Sequence, residues 1–123
     1  RAARVALGTE LPALFCNDNQ TASAILHAAD AQQDPLWRLP LFDDYDRHLD
    51  AGYAALSSTG LSGYGGAITA ALFLRRFAGS ANNWAHIDVM AWNLASRPGR
   101  PKGGEAMGLR AVFDYINTLA ADS

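Results

Sequence analysis

The apolar run from Leu11 to Cys16 is followed by the polar stretch Asn17-Asp18-Asn19-Gln20-Thr21, then by Ala22, Ile25, Leu26 and Ala29 at helical spacing. This change of period constrains the fold more than any other feature. A short continuous apolar run reads as a strand buried on both faces, and the residues after it read as a helix packed back across the sheet. The polar stretch supplies several candidate N-caps, and Asp34-Pro35 stops the helix after about Gln32.

The same alternation continues along the chain. Val5-Ala6-Leu7-Gly8 reads as a short buried strand, as does Trp37 to Phe42, where Pro40 points to an edge or a bend. Asp43-Asp44 can cap a short helix through Leu49, and Tyr53 to Leu56 fits a strand. Gly60-Leu61-Ser62-Gly63-Tyr64-Gly65-Gly66 is a loop that needs unusual backbone angles. It opens a helix from Ala67 to Phe77 that is apolar nearly all round. Trp84 to Val89 resembles a strand of a sheet covered on both faces. A basic loop with Arg97, Arg100 and Lys102 precedes a last helix, expected to begin near Glu105, with Ala106, Leu109, Phe113, Ile116 and Leu119 on one stripe. The expected fold is α/β, with helices flanking a mixed, mostly parallel sheet.

With 123 residues, half of them hydrophobic, the chain suits one domain, and no linker divides it. A net charge of −2 and a pI near 5.8 leave no basic footprint for nucleic acid or anionic membranes. The apolar runs fall short of the ~20 residues that cross a bilayer. Cys16 is the only cysteine, so an intrachain disulfide is impossible and a reducing, cytoplasmic compartment is expected. In its apolar run it reads as a small buried hydrophobe. The chain starts without an initiator Met, which fits a piece of something longer.

His86 and Asp88 lie two apart on a strand and so share a face; they begin a metal site without completing one, and a buried polar pair explains them as well. His27 and His48 read as surface residues. Asp43, Asp44, Asp46 and Asp50 have a spacing that suits a hard cation, although capping and a solvated helix face account for them more simply. The glycine loop lacks the Gly-Lys-Ser/Thr ending of a nucleotide loop, so close approach to a substrate or to another segment is the better reading. Ser57, Ser58 and Ser62 have no evident His-acid pairing for a hydrolase triad. The residues alone define an α/β piece without a complete active site.

Four ordered segments add a resemblance. Ala2-Ala3-Arg4-Val5-Ala6-Leu7-Gly8, Trp37-Arg38-Leu39-Pro40-Leu41, Gly66-Ala67-Ile68-Thr69-Ala70-Ala71-Leu72-Phe73-Leu74 and Trp84-Ala85-His86-Ile87-Asp88 resemble the cytosolic leucine aminopeptidase family. Ala91-Trp92 and the loop from Arg97-Pro98-Gly99-Arg100-Pro101 to Gly103-Gly104-Glu105-Ala106 extend the likeness, which runs from residue 2 to the end. The resemblance implies that residues 1–123 are the C-terminal portion of a catalytic domain that removes N-terminal, leucine-like amino acids from peptides with two divalent metals, zinc or manganese. The family's metal-ligand segments, among them Asn-Thr-Asp-Ala-Glu-Gly-Arg, do not occur here, so no catalytic or metal-binding residue carries over and the chain alone is expected to be inactive. His86 and Asp88 belong to the family motif without being metal ligands there.

What carries over is substrate pocket. By resemblance Met90 and Asn93 line the site for the first side chain and Thr59 the site for the second. Met90 is adaptable and apolar; Asn93 is polar where many relatives are apolar, which argues against strict leucine preference. Arg1 stands at a family glycine whose backbone approaches substrate. The family forms cytoplasmic hexamers through its catalytic domains, and an isolated piece is expected to expose strand edges and apolar surface. Some relatives bind DNA, which the acidic pI disfavours here. The alternative is a non-catalytic oligomerisation or binding module of the same fold.

Overall fold

The computed structural model describes residues 2–51, 64–79, 83–89, 92–93, 103–104 and 107–122. In chain order they form α1 (Ala2–Leu7), β1 (Ala13–Cys16), α2 (Asn19–Ala31), β2 (Trp37–Arg38), a 3-10 helix (Asp43–Ala51), α3 (Gly66–Arg75), β3 (Ala85–Asp88), β4 (Trp92–Asn93), β5 (Gly103–Gly104) and α4 (Leu109–Asp122). One sheet has the order β2-β1-β3, and β4 pairs with β5 in a second, two-stranded sheet. β1 runs parallel to β2 and antiparallel to β3, with Phe15 opposite His86 and Ala13 opposite Asp88. The architecture is thus α/β around a small mixed sheet.

β1 is the centre of the packing, and all four of its residues are buried. Side chains alternate across a strand. Leu14 and Cys16 accordingly enter a cluster with Ala22, Ile25, Ala29, Leu36 and Ala111. Ala13 and Phe15 face the other way, into a cluster with Ala3, Ala67 and Ala71. The sheet therefore lies between α2 and α4 on one side and α1 and α3 on the other. This explains why β1 reads as a continuous apolar run.

Five sequence expectations need correction. Residues 5–8 do not form a strand: Ala2–Leu7 is helical and ends where the Gly8 N–H donates to the Arg4 carbonyl at 2.8 Å. Ala-rich sequence favours helix, and Ala3 and Leu7, four apart, turn toward the core. The expected strand from Trp37 to Phe42 shortens to Trp37–Arg38, because Pro40 has no N–H to continue the ladder. β3 is an edge strand among the described residues and only half-buried, not covered on both faces. The last helix begins at Leu109, since Gly108 has φ +82, a left-handed conformation that an α-helix does not accept. Its expected core stripe points outward as well: Leu109, Phe113, Ile116 and Leu119 are 61, 65, 54 and 51% exposed, while Ala111 is fully buried. The expected strand at Tyr53 to Leu56 and the basic loop lie outside the described residues.

Asp34 organises the join between α2 and α4. Its carboxylate, 2% exposed, accepts the Gly108 N–H and the Ala111 N–H, each at 3.1 Å. These are donors at the start of α4 that no preceding turn can satisfy. Asp34→Ala leaves both amides buried without an acceptor and is expected to cost about 2–5 kcal/mol of stability. Asp34→Asn keeps one carbonyl oxygen and loses less. Urea denaturation of the two variants measures this, and an Asp34→Ala protein as stable as the parent sequence disproves the role.

Candidate functional site

β3 carries Trp84, His86 and Asp88 toward the side of the sheet where Phe15 lies. The His86 ring stacks near Phe15 at a centroid distance of 6.1 Å and near Trp84 at 6.4 Å, with interplanar angles of 19° and 21°. That is offset aromatic packing, and it supports the structural reading of His86. Among the described residues no group of three or more His, Cys, Asp or Glu side chains converges to hold a metal ion. The described residues therefore do not fit a dinuclear centre, and no metal-assisted step is assigned to them.

The other candidates resolve in the same direction. Asp43 pairs with Arg75 at 2.7 Å and Asp46 with Arg76 at 3.1 Å, so half of the acidic cluster ties the 3-10 helix to α3. Both pairs are partly open to water and contribute little stability. The side chain of Asp50 lies outside the described residues. Cys16 is buried, as its apolar run suggests, with its Sγ 3.3 Å from the Asp18 carbonyl oxygen. His27 is exposed on α2, whereas His48 is half-buried, 5.6 Å from the Tyr45 ring.

Of the glycine loop, Tyr64, Gly65 and Gly66 are described, and Gly65 has φ +62. A Cβ there would come within 3.1 Å of the Tyr45 ring. This glycine permits close approach by another segment of the chain. Its carbonyl accepts the Thr69 hydroxyl at 3.1 Å inside the first turn of α3.

Where β3 ends, a cavity of about 130 Å³ lies between Arg4, Gly8, Leu11, Asp88, Val89 and Met107. It has room for a few water molecules and is smaller than ordinary ligand pockets. The chain passes this cavity into Met90, which lies outside the described residues, as does Thr59. Asn93 falls on β4, opposite Gly103 of β5. Of the three pocket residues read from the sequence, only Asn93 is placed, and by its backbone alone.

A wider cleft of about 530 Å³ opens beyond the carboxyl ends of β1 and β2, next to Asn17, Asn19, Arg38, Asp43 and Arg75. Ligands often bind in this position in α/β sheets. Here, however, Arg38 donates to the Cys16 carbonyl at 3.1 Å and Arg75 is bound by Asp43. Those cations are engaged in holding the sheet to its neighbours.

Asp18 caps α2. Its Oδ2 accepts the Thr21 hydroxyl at 2.7 Å and the Thr21 N–H at 2.8 Å. These two bonds, the hydroxyl first, hold its carboxyl below the ordinary value of 3.8, and the charge of Arg38 adds to the effect against desolvation.

The described residues form a small mixed sheet flanked by helices, with a small cavity at the end of the edge strand β3. The sequence profile described as "Cytosol aminopeptidase family, catalytic domain" matches residues 1–113. The chain belongs to that family. It is 43% identical over 118 residues to "Probable cytosol aminopeptidase" of Photorhabdus laumondii subsp. laumondii, covering 96% of this chain and 22% of that protein. For the protein of the same name from Geobacter sp. (strain M21), identity is 38% over 114 residues, covering 91% of this chain and 23% of the relative. The crystal structure of the cytosol aminopeptidase from Coxiella burnetii superposes with a TM-score of 0.80 at 47% identity, covering 96% of this chain and 26% of that one. The bottromycin maturation enzyme BotP, solved in complex with Mn, gives a TM-score of 0.79 at 30% identity, with 97% and 27% covered. The chain thus spans about a quarter of the length of the relatives it matches.

Because the folded carboxyl of Asp18 titrates below 3.8, the cap contributes stability fully present above that value and lost as pH falls through the lower folded value. Asp18→Ala is expected to lower the melting temperature at neutral pH, with the gap to the parent sequence closing below about pH 3.8. A gap that stays constant into acid contradicts the capping role.

Proposed function

We propose that this chain is the C-terminal portion of a metal-dependent aminopeptidase catalytic domain, releasing N-terminal, leucine-like residues from peptides in the cytoplasm. It supplies core and pocket walls. The two divalent metals, zinc or manganese, are held by residues that this sequence does not contain. In this reading Met90 and Asn93 wall the site of the first side chain and Thr59 the site of the second. The whole protein is a homo-oligomer, a hexamer by family likeness.

The observation that carries the reading is the family match over residues 1–113, nearly the whole folded unit. A second reading, a non-catalytic oligomerisation or binding module of the same fold, draws support from the apolar side chains that α4 exposes.

The test is hydrolysis of leucine p-nitroanilide by the purified chain with manganese or zinc, beside a metal titration. No turnover and no tight metal binding are expected. Metal-dependent turnover overturns the reading, because a complete site then exists within these residues. In the full-length protein, Asn93→Leu is expected to raise kcat/KM for leucine over polar first residues by roughly 10-fold, the scale of one added apolar contact. Unchanged selectivity removes Asn93 from the pocket.

A further inference from the structure

We draw no further inference here: the strongest candidate, the exposed apolar face of α4 formed by Leu109, Phe113, Ile116 and Leu119, carries nothing, because the chain spans about a quarter of its relatives' length and nothing in the structure shows what covers that face.

Discussion

Placing a carboxylate at 2% exposure costs several kcal/mol of lost hydration unless hydrogen bonds replace the water. Asp34 meets this requirement with two backbone amides at the start of α4, more than seventy positions along the chain. Much else follows from that arrangement. The Gly108 N–H can reach Oδ1 only with the chain turning through φ +82, and the space for a Cβ there is bounded by Ile87 and Leu36. Leu36 before β2, Ile87 of β3 and the start of α4 therefore meet at Gly108, which Asp34 holds in place. Met107, immediately before the turn, is held 8% exposed where it lines the cavity beside Asp88. The buried cap thereby fixes one wall of the small cavity at the end of β3.

The legible parts of the fold were those where local pattern and tertiary role agree. The Leu11 to Cys16 run and the helix after it were readable because β1 is buried on both faces and α2 has a side-chain cap. Residues 5–8 read as a strand because so short an apolar segment fits either period, and the packing of Ala3 and Leu7 against the core decides for helix only in the folded chain. Asp34 was seen only as a helix stop. Its real partner is distant in sequence, and no local pattern announces a backbone amide seventy-four positions away.

The candidate site was legible in a different way. His86 and Asp88 do share a face, as two-residue spacing requires, yet chemistry-bearing residue types did not make chemistry: His86 lies among aromatic rings, and two of the aspartates hold arginines. The family membership came from four ordered motifs rather than from any constellation of acids and bases. That is physically reasonable for a piece spanning about a quarter of its relatives' length. The motifs preserve packing, such as the β1–β3 register, and packing outlasts separation from a site.

α4 shows why the size of apolar side chains misleads about which face is inside. The cluster that joins α2 and α4 includes small residues, Ala22 and Ala29 on α2 and Ala111 on α4, all nearly inaccessible. Small side chains let two helix backbones approach closely, and the α4 capping bond to Asp34 points the same face inward. Once that face is committed, helical geometry places Leu109, Phe113 and Ile116 on the other side. Their exposure has a cost, since each large apolar side chain left in water forgoes about 1.5–3 kcal/mol of burial. The fold tolerates this cost because the opposing terms, the buried carboxylate and the tight alanine contact, cannot be satisfied with α4 rotated by half a turn.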